Sequence, residues 1–156
     1  MVIMAKEILN RGLDDFHWKI IQELQKDARI TNVEIGKRIG LSSPAVAERV
    51  KKLEEEGYIK GYRTVVDYDK LGLSVRVFIH YKATKITHAE MIKIVDKMPE
   101  VIEWHAITGS HCSMLKVVVA STKELESLIE KLQEFGETST SIILSSNTTP
   151  KIIGQQ

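Results

Sequence analysis

Ser42, Ser43, Pro44, Ala45, Glu48, Arg49, Lys51 and Lys52 fall within one stretch, SSPAVAERVKKLEEEG. On a helix, small and hydrogen-bonding side chains at the N-terminal end followed by cations suit entry into a DNA major groove. The small residues permit approach to base edges, and the cations bind phosphates. Ser42 or Ser43 can cap such a helix, with Pro44 just inside its start, where a missing N–H costs nothing. Val46, Val50 and Leu53 lie at i, i+4 and i+7, a buried stripe that holds the opposite face outward. Ser43, Ala45, Glu48 and Arg49 are therefore candidates to face bases, and Lys51, Lys52 and Arg38 to meet phosphates.

The elements that must position these residues are legible on both sides. NVEIGKRIG reads as a shorter helix with apolar residues at Val33, Ile35 and Ile39, closed by Gly40 at a C′ position that needs a left-handed residue. Leu41 then plugs the turn between the two helices. Upstream, Asp14 is a candidate N-cap for a helix whose Phe16, Ile20, Ile21 and Leu24 form an apolar face, completing a three-helix core. Downstream, Glu54–Glu56 end the long helix at Gly57, and Tyr58–Val66 is β-rich but broken by Gly61, a short ribbon or wing. A helical hairpin alone can carry Lys and Glu on solvated faces without touching nucleic acid; the third helix and the wing favour DNA binding.

Here the wording of the chain resembles a known family. LDDFHWKIIQELQKDARITNVEIGKRIGLSSPAVAERVKKLEEEGYIKGY is similar to the N-terminal domain of the Lrp/AsnC (leucine-responsive, feast/famine) transcription regulators. The resemblance continues in segment order over residues 13–147. It implies a winged helix-turn-helix domain over residues 1–66 (1–12 an N-terminal extension), a hinge at 67–72, and a ferredoxin-like domain over 73–156. That second domain is implied to dimerise the protein, on to an octamer of four dimers, and to bind small effectors such as amino acids between dimers.

The second half supports the same α+β architecture from its own pattern. Val75, Val77, Ile79 and Tyr81 alternate with Arg76, Phe78, His80 and Lys82, a period-2 strand. Thr87 can cap a helix with Met91, Ile92, Val95 and Met98 on its apolar side, stopped by Pro99. Strands are expected at Val101–Thr108 and Met114–Ala120. A second helix capped by Ser121 or Thr122 carries Leu125, Leu128, Ile129 and Leu132, and a last strand spans Glu137–Ser145. The order is βαββαβ: an antiparallel sheet with both helices on one face. The other face is expected bare and apolar around Val77, Ile79, Val117 and Val119, which calls for a second copy of the chain. A two-fold pair would present two recognition helices about one DNA turn apart.

Many members of the family carry acidic residues after a glycine at the turn between strands two and three, where they help bind an amino acid's ammonium. Here the segment is Gly109-Ser110-His111-Cys112-Ser113, with the glycine kept and both carboxylates gone. Neutral groups do not supply the same charge complement, so a leucine- or asparagine-like ligand is disfavoured. Thr138 and Thr140 lie on the strand where the family closes its effector pocket; as hydroxyls on a strand they read equally well as solvated positions. His105, His111 and Cys112 are soft-to-borderline metal ligands, but too few and wrongly spaced for a tight site, and packing at a subunit contact is the preferred assignment.

Composition sets the remaining bounds. The 156 residues carry a formal net charge of +1, with 12 Lys/Arg against 10 Asp/Glu in residues 1–66 and 10 against 11 in the rest. DNA binding must then rest on local clustering and dimeric presentation rather than bulk charge. One cysteine excludes an intrachain disulfide and suits a reducing, cytoplasmic setting. No apolar run approaches the ~20 residues of a membrane span. No dinucleotide, Walker, zincin or nucleophile-elbow motif is present, so no catalytic residue, metal or cofactor is expected. The rival functions are an effector-independent architectural protein that wraps DNA, and a small-molecule-binding regulatory subunit, for which the three N-terminal helices would be superfluous.

Overall fold

The computed structural model describes residues 12–146 and 151–154. The chain forms two compact units, one from residues 12–65 with 151–154, the other from 66–146. Residues 1–11 of the expected N-terminal extension lie outside the described residues.

The first unit holds α1 (Asp15–Lys26), α2 (Asn32–Ile39) and α3 (Ser43–Glu55). Each starts at a residue whose side-chain oxygen satisfies an orphan N–H: Asp14 for α1, Thr31 for α2, Ser42 for α3. Asp14 adds a reciprocal bond, its own N–H donating to His17 Nδ1 at 3.2 Å. Gly40 closes α2 in the left-handed region at φ 79°. Leu13, Ile20, Ile35, Val46 and Leu53 form the core, with Trp18, Ile21, Leu24, Ile39, Leu41, Val50 and Ile59 packed around it.

Two expectations fail in this unit. Val33 is 53% exposed, so the inner stripe of α2 is Ile35 and Ile39 alone. Val33 and Ile35 are two positions, about 200°, apart on a helix and cannot share a face. The ribbon over Tyr58–Val66 forms no strand; the backbone there is irregular, and Tyr58, Tyr62, Val65 and Val66 are exposed. Gly61, at positive φ, divides the run into pieces too short to ladder with one another. The segment is pinned instead by single bonds, from Ile59 N to Leu53 O at 3.0 Å and from the Tyr62 hydroxyl to Glu54 at 2.9 Å. Although the ring is exposed, partial desolvation of its hydroxyl, together with the bond to Glu54, pushes the Tyr62 phenol up to about 12.

The second unit is β1 (Val75–Ala83), α4 (His88–Val95), β2 (Val101–Ala106), β3 (Ser113–Val119), α5 (Thr122–Gln133) and β4 (Gly136–Ile142). Its antiparallel sheet has the order β2-β3-β1-β4. Thr87 and Ser121 are the caps of α4 and α5. Val77, Ile79 and Tyr81 of β1 and Leu115, Val117 and Val119 of β3 are buried with Met91 and Val95 of α4 and Leu125, Leu128 and Leu132 of α5.

That core overturns the expected bare face. Val77, Ile79, Val117 and Val119 lie in the covered core, and period-2 alternation sends Arg76, Phe78, His80 and Lys82 of β1 and Met114 and Lys116 of β3 to the other side. The open face thus carries three apolar side chains from β1 and β3, Phe78, Met114 and Val118, set among cations, imidazoles and the carboxylates of Glu103 and Glu137. Alternation shows that a strand has two faces; it does not show which one the helices take.

A further difference concerns the C-terminus. Residues 151–154 do not join the sheet unit. The Gln25 side chain on α1 donates to Ile153 O and accepts from Ile153 N, both at 2.8 Å, so one amide satisfies both backbone groups.

Candidate nucleic-acid interface and effector site

On α3 the buried Val46 and Leu53 set the direction of everything else. Ser42, Pro44, Glu48, Lys51 and Lys52 are exposed, while Ser43, Ala45 and Arg49 are half-buried on its flanks. The Ser42 hydroxyl caps the helix, accepting from Ala45 N at 3.4 Å. Lys51 and Lys52 make only loose i,i+4 pairs with Glu55 and Glu56, at 3.6 and 3.8 Å. Such pairs are worth a few tenths of a kcal/mol and release readily to phosphate.

The two arginines are held far more tightly. Arg38 Nη1 donates to Glu23 at 2.6 Å and its Nε to Glu34 at 3.2 Å. Arg49 Nη1 donates to Asp14 Oδ2 at 2.7 Å, sits 3.3 and 3.4 Å from the two ring nitrogens of His17, and lies 5.5 Å over the Phe16 ring. Arg49 therefore faces the N-terminus of α1 rather than the outward strip of α3. Sequence reasoning missed His17 and Glu23, both buried, because it treated α1 only as an apolar face. Lys37, exposed on α2 beside Arg38 and without a partner among the described residues, is a further cation that the outward strip did not reveal.

Glu23 joins α1 to α2, and it titrates. The hydrogen bond from Lys26 at 2.5 Å, then that from Arg38, hold its carboxyl below its ordinary 4.5, against the opposing pull of desolvation. A carboxylate depressed in the folded state contributes stability above its unfolded pKa and loses it as pH falls through the folded one. Denaturant melts taken at successively lower pH should therefore show Glu23→Gln less stable than wild type at neutral pH, the two curves converging in acid. Parallel curves would contradict the assignment.

In the second unit Gly109 turns the β2–β3 loop at φ 123°. The Cys112 N–H donates to Tyr81 O at 3.2 Å, and its carbonyl accepts from Ile107 N at 3.0 Å, so the loop closes onto the end of β1. Tyr81 then pairs with Ser113 on one side and Thr138 on the other, which brings those two candidates into one cross-strand row. Ser113 Oγ lies 3.2 Å from His88 Nε2, and the Thr138 hydroxyl accepts from Gln133 at 3.1 Å. Thr140 sits two residues further along β4 on the same face, opposite Ile79, and is exposed. Ser110 and His111 diverge from this row: they bond to each other at 3.1 Å, and the His111 ring stands 5.7 Å from that of His80 on the open face. Tyr81, at the centre of the row, was not singled out from sequence; burial first, then Cys112, raises its phenol. Among the described residues His105, His111 and Cys112 assemble no group of three or more metal-ligating side chains.

A tri-helical DNA-binding unit followed by a split-βαβ sheet unit is the plan of an effector-linked transcription regulator. Residues 13–60 match the winged helix-turn-helix DNA-binding model, and residues 74–151 match the Lrp/AsnC ligand binding domain. The chain belongs to the Lrp/AsnC family. It is 39% identical to the uncharacterized HTH-type transcriptional regulator YezC of Bacillus subtilis, over 87% of this chain and 96% of that protein. The solved structure of B. subtilis LrpC superposes with a TM-score of 0.84 at 34% identity, covering 89% of this chain and 99% of that one. A feast or famine regulatory protein from M. tuberculosis, complexed with L-methionine, superposes with a TM-score of 0.84 at 27% identity, over 91% of this chain and all of that one. The chain is thus a transcription regulator, and no helix among the described residues is long and apolar enough to cross a membrane.

Proposed function

We propose that the chain acts in the cytoplasm as a symmetric oligomer that lays α3 into the major groove of a pseudo-palindromic duplex site. The observation that carries this is the outward strip of α3, small at its capped N-terminus and cationic at Lys51 and Lys52. Ser43, Ala45 and Glu48 face bases, and Lys51 and Lys52 meet phosphates. Arg38 and Arg49, with Ser42 and Pro44, hold the helix pair in shape around that contact. Selection of binding sites from a random duplex library tests the proposal: two inverted half-sites about one helical turn apart are expected, and a site with no inverted symmetry would contradict it.

Self-association rests on the open sheet face. Phe78 and Met114 are only partly covered there, and Arg76 Nε is buried with no acceptor among the described residues, as a group awaiting a second surface would be. A dimer is the first assembly, with an octamer of four dimers beyond it. Light scattering at micromolar concentration should return a dimer or a multiple of it, and a stable monomer would contradict this.

The regulating ligand is proposed to be a small metabolite other than the common branched-chain amino acids, received by Gly109, Ser110, His111, Cys112, Ser113, Thr138 and Thr140 together with a neighbouring copy. An α-ammonium buried there without an opposite charge carries an uncompensated desolvation cost of several kcal/mol. The same missing carboxylates favour a second function, an architectural DNA-wrapping protein that needs no effector. A thermal-shift screen of amino acids and common metabolites separates the two, because a ligand of the folded state raises the melting point by mass action. Little or no shift with leucine is expected. A clear leucine shift abolished by Gly109→Trp would overturn the proposal, and silence from every compound would favour the architectural function.

A further inference from the structure

The described glutamates of the DNA-binding unit are not alike. Glu23 and Glu34 receive Arg38, Glu54 receives Tyr62, Glu55 pairs with Lys51 and Glu56 with Lys52. Glu48 is the exception: it is exposed, and among the described residues it has no hydrogen bond or ion pair. Lys52, four residues on and able to reach back, is turned to Glu56 instead. Glu48 also occupies the outermost strip of α3, in line with Pro44 and Lys51 and opposite the buried Val46 and Leu53. One turn before it stand only Pro44 and Ala45, and one turn after it Lys51 and Lys52, whose side chains are exposed and flexible.

We infer that Glu48 is a specificity-determining residue that accepts a hydrogen bond from the exocyclic amine of a cytosine, once in each half-site. The inference rests on the proposed entry of α3 into the major groove. A carboxylate carried between two rows of phosphates is repelled unless it meets a donor, and only cytosine N4 and adenine N6 offer one on the major-groove edges. The partner base sets an oxygen beside the amine in both pairs, but adenine adds its own N7 acceptor next to N6 where cytosine has only C5–H, and that repulsion tips the choice to cytosine. At every other base the same charge is penalised without compensation, so Glu48 acts by excluding wrong sites as much as by binding the right one.

The test compares wild type, Glu48→Gln and Glu48→Ala on the selected operator with all four base pairs substituted in turn at each half-site position. Wild type should prefer cytosine at one position by roughly 5- to 150-fold over the other bases. Glu48→Gln should lose that preference and move toward adenine, whose N6 and N7 suit a carboxamide. Glu48→Ala should be indifferent there and bind random duplex more tightly than wild type at the same salt. If wild type selects an operator and both variants keep its base preferences at every position, the cytosine contact is wrong while the DNA contact of α3 stands. If wild type binds duplex without any base preference, or does not bind duplex, the inference falls together with the groove-reading proposal beneath it. Circular dichroism of the variants should match wild type, because Glu48 holds nothing in the fold.

Discussion

Gly36→Ala is expected to destabilise the DNA-binding unit by about 1–3 kcal/mol and to weaken operator binding with it. Gly36 sits in the last turns of α2, where its carbonyl accepts from both Gly40 N and Leu41 N, at 2.9 and 3.0 Å. That pair of hydrogen bonds folds the chain sharply back, and a Cβ on Gly36 would lie 2.4 Å from Leu41 O. Two effects oppose each other. Alanine gains roughly 1 kcal/mol over glycine inside a helix, but the obstructing atom is backbone and cannot swing aside as a side chain could. The clash wins, and relief comes by shifting Leu41 and Ser42, the turn and the N-cap that lead into α3. Urea unfolding and operator titration of the variant should move together. A variant at least as stable as wild type would show that the turn has slack and that Gly36 does not set the angle between the helices.

Arg49→Ala is expected to cost about 1 kcal/mol of stability and to weaken specific DNA binding by about 1–3 kcal/mol. The reason differs from the one its sequence position suggests. Its guanidinium is engaged with Asp14, His17 and Phe16, so it locks α3 to the start of α1. Desolvation raises the Asp14 carboxyl, but the His17 amide and Arg49 outweigh it and hold the pKa below its usual value. Asp14→Asn separates locking from reading, since asparagine caps a helix as well as aspartate while removing the charge that holds Arg49. Asp14→Asn should reproduce most of the loss in both measurements. If it instead binds operator like wild type while Arg49→Ala does not, Arg49 reads DNA directly.

Local chemistry was legible in the sequence wherever one residue decides it. Gly40, Asp14 and Thr87 could be read because caps and left-handed turns depend on one side chain, whereas adjacent hydroxyls left Ser42 or Ser43, and Ser121 or Thr122, open until the helix starts fixed Ser42 and Ser121. The helix stripes of α4 and α5 and the βαββαβ order could be read because periodicity is a local property. What required a partner in space could not be read. The open sheet face was assigned to Val77 and Val117 because both faces of β1 carry apolar residues, and only the packing of α4 and α5 chooses between them. Arg49 looked free because Asp14 is 35 positions away, and the tail at Ile153 could not be foreseen on Gln25, 128 positions away. Gly36 was not singled out, although a mid-helix glycine is a signal of close backbone approach.

At the candidate sites the same division holds. The exposed and capping residues of α3 lie as its periodicity requires, whereas the arginines are drawn away by carboxylates on other helices. The loop residues Gly109–Ser113 were identified as a group, but the strand register splits them, Ser113 toward Tyr81 and Thr138, His111 toward His80. One-residue steps along a strand reverse the direction of a side chain, and no spacing rule fixes where a loop hands over to a strand.

Contact between the outward strip of α3 and the DNA backbone is open to direct measurement through the salt dependence of operator binding. Each phosphate contact made by a cation contributes about one unit to the slope of log affinity against log salt. Lys52 is exposed and only loosely paired with Glu56 at 3.8 Å, so its removal disturbs nothing else in the unit. The slope for Lys52→Ala should be shallower than that of wild type by about one unit per recognition helix bound. An unchanged slope, with the variant folded and binding the operator as tightly as wild type at every salt concentration, would contradict the placement of α3 on DNA.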